Sequence, residues 1–349
     1  MEGFGSWSVL TTNFILCLYI ALGGVTLSAI LHLVNGKWRF VVRNLACSLA
    51  VMFPVAFVLM IVLLANGENT FQWLAQAREA SAHGGGGHHL PGWHNYAFLA
   101  TRQIVGFFVV AGLYGLFIKL QHQATIDDSY PAQRRFRNIA LVIPGIYVLY
   151  GTMIAWDYEM TMIPNWHSAS YSVYHFVSNF HFFLAFFAFF LFMLNKSGKL
   201  TKEMPSFVFN HLAQMMLAFT ILWTYFFFTQ YLIMWYGRLP EEIFRFRNMM
   251  ENGLAPIWWT FVTLKFIIPF CSYIFAVNRH TPSIIATISV GIMVGTWLER
   301  YTWISGSVDP KFYHLPMTSM FDIAVTVLVI GVAIAAMRWS LTRFGLMRA

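Results

Sequence analysis

The chain has 349 residues, of which 10% are charged, 58% hydrophobic and 18% aromatic. A soluble domain carries about 25% charged residues, so this composition excludes a water-soluble globule and leaves the bilayer as solvent for much of the chain. The formal charge of +8 follows the loops between apolar runs, which argues against a nucleic-acid-binding surface.

Taken in order, apolar spans fall at 9–33, 42–65, 97–120, 137–156, 169–194, 208–236, 253–278, 282–298 and 318–338. Most reach the roughly 20 residues needed to cross about 30 Å of hydrocarbon. The span at 282–298 is short, and the one at 208–236 is long enough to tilt. The runs are continuous and lack the two-residue alternation of a membrane β-barrel. The expected fold is all-α: a polytopic protein of about nine transmembrane helices, with 1–349 forming one integral membrane domain. The first segment carries Glu2 and no base, and its apolar run is too long for a signal-peptide core, so no cleavable leader is expected.

With the N-terminus outside, the inward-facing segments hold 14 basic residues, from Lys37 and Arg39 to Arg343 and Arg348, against Asp127, Asp128 and Glu203. The outward-facing segments hold Arg78, Arg102, Arg238, Arg245, Arg247, Arg300 and Lys311 against ten acids. Basic residues thus alternate loop by loop as the positive-inside rule requires. That pattern predicts nine spans and a cytoplasmic C-terminus.

The 66–96 loop contains His83, His88 and His89 around a glycine run. A metal site would need a completing Cys or carboxylate, so a loose linker is the favoured reading. The shorter loops at 157–168, 237–252 and 299–317 are rich in Trp, Pro and charge pairs. Trp93, Trp166, Trp235 and Trp303 fit an interfacial aromatic belt. Cys17, Cys47 and Cys271 lie inside spans at no ligand spacing and read as packing residues.

Ionisable groups inside a membrane are costly, and each is a functional candidate. His167, Tyr171, Tyr174, His175, Ser178 and His181 recur at helical steps and define one face of the fifth span. Imidazoles and phenols both donate and accept hydrogen bonds, and His titrates near neutrality. The stripe therefore suits a proton relay or a quinol pocket, and equally interhelical hydrogen bonding. Asp157 and Glu159 end the fourth span, with Arg102 at comparable depth in the third as a candidate partner. Lys265 lies near the middle of the seventh span and Asp322 enters the ninth. A direct Lys265–Asp322 pair is disfavoured by an estimated depth difference of about 10 Å. His211, Gln214, Thr224, Tyr225, Thr229 and Gln230 on the sixth span offer a hydrophilic continuation or simple interhelical bonding. Haem b needs two axial His on facing spans at one depth; His175 and His181 share a helix, and no such pair emerges, so no haem and no metal are expected.

The segment DYEMTMIPNWHSASYSVY at 157–174 resembles a loop-into-helix signature of the ActF subunit of alternative complex III, through Asp157, Met160, Pro164, Trp166, Ser168, Val173 and Tyr174. QYLIMWYGRLPEE at 230–242 is similar to the same family's Q-Y-x-x-x-W-Y-G-N-x-P-E-E, and this string is the most specific. His32-Leu33 before Trp38, Ile267 to Phe270 and Glu299 to Tyr301 supply weaker pieces in matching order over about 290 residues. The resemblance to this NrfD/polysulfide-reductase-type family implies two four-helix bundles with a peripheral helix. It implies a bacterial cytoplasmic (inner) membrane location with the N-terminus periplasmic. It also implies partners: a sister NrfD-like membrane subunit, a periplasmic iron–sulfur protein, a multihaem cytochrome c, membrane lipids and, as a further candidate, a terminal oxidase. Quinol, menaquinol or ubiquinol, is the implied substrate, bound in this or the sister subunit, with no covalent cofactor. Three departures stand out: Asn165 where the family has His, Lys265 where a His is expected, and one helix fewer than ten-helix members. The expected function is that of a membrane subunit of an alternative complex III-like quinol:electron-acceptor oxidoreductase, docking the periplasmic redox subunits and offering a proton path through Asp157, Glu159, His167, His175 and His181, with Lys265 and Asp322 as further members. The alternatives are a quinol-binding anchor of a molybdopterin-type reductase and a scaffold subunit without its own site.

Overall fold

The computed structural model describes residues 4–82, 92–164, 166–201 and 203–347. The loop histidines 83, 88 and 89 and Asn165 lie outside the described residues. Nine helices among those described are long and apolar enough to cross a membrane. They are, in order, Phe4–Leu33, Arg39–Ala65, Tyr96–Ile126, Tyr130–Met160, Tyr171–Lys196, Ser206–Tyr236, Ala255–Tyr273, Pro282–Ser305 and Met320–Arg343. No strand occurs among the described residues beyond a single bridge between Leu200 and Met347. The protein is an all-α multi-pass membrane protein.

Two four-helix bundles account for the packing. The first four helices pack in a ring, and so do the fifth to eighth; the first, fourth, fifth and eighth meet between the rings. The ninth helix lies against the first and second. Ala, Gly and Ser let helices approach closely where lipid provides no hydrophobic drive for association. Gly23 of the first helix is one such place, because an added Cβ would collide with the Phe183 ring of the fifth. The first helix is consequently the most enclosed: 94% of its apolar window is buried, against 22% for the ninth. Lipid-facing apolar side chains such as Val105, Phe108 and Leu149 lie outward on the third and fourth helices.

Several expected boundaries move. The eighth helix runs to Ser305 rather than 298, so Glu299 and Arg300 belong to a membrane span and not to a loop. The loop expected at 237–252 is mostly an amphipathic helix, Pro240–Glu251. Part of the segment after the second span is helical, at Gly67–Thr70 and Gln72–Ala82. Trp166 and Trp303 do not face outward: both are buried, packing against Tyr171 and, for Trp303, Tyr174.

Candidate functional site

Two helices widen into a π-turn, and each π-turn carries charge. The fourth helix ends in one at Trp156–Met160, holding Asp157 and Glu159. The seventh has one at Thr263–Ile267, holding Lys265. A π-turn adds one residue to a helical turn, re-aims the side chains and loosens backbone bonding, which is why such turns recur at functional sites. Arg245, brought in by the amphipathic helix, takes up a carbonyl of the first π-turn and one near the end of the eighth helix. It donates to the backbone oxygens of Glu159 at 2.9 Å and Trp303 at 2.8 Å, with its guanidinium over the Trp166 and Trp303 rings. Burial pushes the Arg245 guanidinium below its ordinary value.

Asp157 and Glu159 point to different partners. Asp157 accepts from Arg102 Nη2 at 2.5 Å and Nε at 2.9 Å, from Trp93 Nε1 at 2.8 Å and from Gln103 Nε2. Arg102 also lies 4.0 Å from the Trp93 ring centroid. This site joins the third and fourth helices, the last pair of the first bundle.

Glu159 reaches between the bundles. Its Oε2 accepts from Tyr171 Oη at 2.6 Å and from Arg300 Nη1 at 2.6 Å, and lies 2.7 Å from His175 Nδ1. Arg300 Nη2 is 2.9 Å from Glu299 Oε1. Glu299 in turn accepts from Trp223 Nε1 at 2.8 Å, Ser178 Oγ at 2.6 Å, Tyr174 Oη and Lys265 Nζ. Lys265 also donates to Ser178 Oγ at 2.6 Å and sits over the Trp223 ring. Gly295 permits this passage, since a Cβ there would stand 2.8 Å from Lys265 Cγ. Two carboxylates and two cations, all fully buried, thus form one continuous network. Removing one member of such a network strands a charge in low dielectric, at a cost of about 3–5 kcal/mol.

His175 touches both a carboxylate and a guanidinium of this network through one ring nitrogen. Nδ1 is 2.7 Å from Glu159 Oε2 and 2.8 Å from Arg300 Nη1. An arginine only donates. Nδ1 has a single lone pair, so in the Nε2–H tautomer it accepts from Arg300 and leaves the proton off the Glu159 side. When Nδ1 carries the proton, it donates to the carboxylate. The same three atoms serve both arrangements.

The other expected members lie outside the hydrogen-bonded network. His167 precedes the fifth helix, which starts at Tyr171, and its side chain is 80% exposed, 3.9 Å from Glu242. The backbone has not yet entered the helical repeat there, so the predicted stripe begins four residues later. His181 is buried and its Nε2 lies 3.2 Å from Thr220 Oγ1. Asp322 is fully buried at the start of the ninth helix, and neither carboxyl oxygen has a hydrogen-bond partner among the described residues. It is not in the Lys265 network, where Glu299 takes the place of counter-ion. Of the polar residues on the sixth helix, Gln214 and Tyr225 face outward, His211 packs on Trp38 and Gln230 is buried.

Sequence reading missed Glu299, Arg300 and Arg245 as site members. The usable signal was the aromatic run that resumes at Tyr301 and Trp303 after the Glu299–Arg300 doublet, which marks an interrupted span rather than its end. A cavity of about 650 Å³ lies elsewhere, between the end of the sixth helix and the amphipathic helix; Arg238 and Arg247 line it, and Glu159 and Glu299 do not. No protein-family model matches the chain, and no curated protein matches it.

Proposed function

We propose that the chain is an integral membrane subunit of a quinol-linked respiratory oxidoreductase, similar to the ActF and NrfD subunits, and that it supplies a buried proton-handling site. The observation that carries this reading is the His175–Glu159–Arg300 arrangement, in which one imidazole nitrogen touches both a carboxylate and a guanidinium inside an otherwise paired ionic network. Intramembrane ionisable groups are expensive to maintain and generally mark ion or proton routes. The motif resemblance at 157–174 and 230–242 supports the quinol-linked assignment. In this reading the membrane is the bacterial cytoplasmic membrane. The loop charge pattern supports a periplasmic N-terminus and a cytoplasmic C-terminus, so the Glu159 network lies toward the periplasmic side. Quinol is the substrate, held here or in a sister membrane subunit. The partners are periplasmic iron–sulfur and multihaem cytochrome c subunits.

The test combines isolation and turnover. Affinity purification from native membranes should bring down c-type haem, an iron–sulfur protein and a second membrane subunit. In that complex, His175→Ala should lower quinol turnover or proton yield with assembly intact. Asp157→Asn should do so less, because Asp157 is committed to Arg102. Full turnover and unchanged proton stoichiometry in both variants would leave a scaffold role, which the mutual neutralisation of Glu159, Glu299, Lys265 and Arg300 would by itself accommodate.

A further inference from the structure

Three phenols in the first bundle, Tyr19, Tyr150 and Tyr158, are buried, and none of their hydroxyls has a hydrogen-bond partner among the described residues. Buried polar groups in native proteins are almost always satisfied, by protein or by ordered water. Three such exceptions in one region need a physical cause, and their placement supplies it. Tyr158 is within electrostatic range of Tyr150, Asp157 and Arg102. Tyr150 is within range of Asp157. Tyr19 is within range of Tyr150, Glu159 and Arg300, and its ring meets His175 edge-on at 5.4 Å.

Both ends of this string are also unsatisfied. Gln103, which donates to Asp157, keeps an unpartnered Oε1 among the described residues; so do Glu159 at Oε1 and His175 at Nε2. Gly151 leaves the Tyr19 hydroxyl its room, because a Cβ at that position would stand 2.8 Å from it. The contrast with neighbouring phenols is sharp. Tyr114 Oη is 2.9 Å from Thr26 Oγ1, and Tyr147 donates to Phe176 O at 3.1 Å. Burial alone therefore does not produce the orphans.

We propose that Tyr19, Tyr150 and Tyr158 line an internal hydration site whose ordered water links the Arg102–Asp157 pair to Glu159 and His175. A buried water makes about three hydrogen bonds, so the six unsatisfied atoms call for about two waters or more. Phenol hydroxyls rotate and both donate and accept, which suits them to line water of either orientation. The site gives His175 Nε2 a polar neighbour on the side away from Glu159, across the seam between the two bundles. It stands on the burial and hydrogen bonding of these residues and is independent of any quinol-linked role.

Synchrotron radiolysis of the full-length protein in lipid nanodiscs, in ¹⁸O-labelled water, tests it by mass spectrometry. Bound water generates hydroxyl radicals in place and oxidises the side chains that touch it. Tyr19, Tyr150 and Tyr158 are expected to label several-fold faster than Tyr114 and Tyr147, which are equally buried and internally bonded. In Tyr19→Phe, which loses only the hydroxyl at the Glu159 and His175 end, Tyr150 labelling should fall while Tyr114 stays unchanged. Equal labelling of all five tyrosines, or labelling of Tyr114 and Tyr147 alone, would overturn the hydration site. Neither readout uses turnover, so this result and the functional assignment succeed or fail separately.

Discussion

Each four-helix bundle holds one cation–carboxylate pair between its third and fourth helices, and the two pairs are built differently. In the first bundle Arg102 meets Asp157; in the second Lys265 meets Glu299. At 1.5 Å per residue, Arg102 lies about 9 Å along its helix from Tyr96, and Lys265 about 15 Å from Ala255. The shallower pair keeps 8% of the Arg102 side chain exposed and lies beside the half-buried Trp93. The deeper pair is fully enclosed and extends through Arg300 to Glu159 of the other bundle. Depth decides the difference. The shallower pair is closed by Trp93 and Gln103 and stays within its own bundle. In the interior each charge needs several donors or acceptors, so the pair grows into a network that crosses the seam.

This contrast predicts its largest effect at Glu299. Glu299→Gln leaves Lys265 and one face of Arg300 uncompensated, and should cost about 3–5 kcal/mol, read as a lowered Tm in detergent. Adding Lys265→Met should recover most of that loss, because a buried pair replaced by apolar volume is often neutral. No recovery would mean that Lys265 is not the partner that matters. Asp157→Asn should be milder, about 1–3 kcal/mol, since the amide oxygen still accepts from Trp93, Gln103 can turn its unpartnered Oε1 to the new NH2, and Arg102 retains its ring contact. Equal losses at the two carboxylates would break the depth argument. Arg245→Met should cost about 1–3 kcal/mol by stranding the carbonyls of Glu159 and Trp303, and should also alter turnover by loosening the π-turn beneath Glu159.

The smallest effect is set by His94, outside the spans, whose Nε2 lies 3.1 Å from Thr161 O. Burial holds its ring below the usual 6.5. The folded protein then binds that proton more weakly than the unfolded chain does. Stability is full above about pH 6.5 and declines as pH falls toward the folded value. His94→Gln should remove that part of the acid sensitivity when Tm is followed between about pH 7.5 and 5.5.

Helix number and class were legible because about 20 apolar residues suffice to cross the bilayer whatever their neighbours do. The site was legible only where periodicity survives. Tyr171, Tyr174, His175, Ser178 and His181 share a helix, and their common face follows from 3.6 residues per turn. His167 failed because the helix begins after it. Glu299 and Arg300 looked like loop charges, since hydropathy counts each as a cost and cannot see that they neutralise Lys265 and Glu159 from other helices. The two π-turns carry no simple sequence signal. They re-aim Glu159 and Lys265 by one residue, and tertiary partners such as Arg245 hold that shift in place.

The most direct measurement of the central claim is infrared difference spectroscopy of the purified complex as quinol is added, in water and in deuterium oxide. A deuterium-sensitive carboxyl band should appear or shift with quinol turnover, and should be lost in Glu159→Gln and displaced in His175→Asn. Full turnover with no carboxyl band attributable to Glu159 would contradict a proton shared between Glu159 and His175.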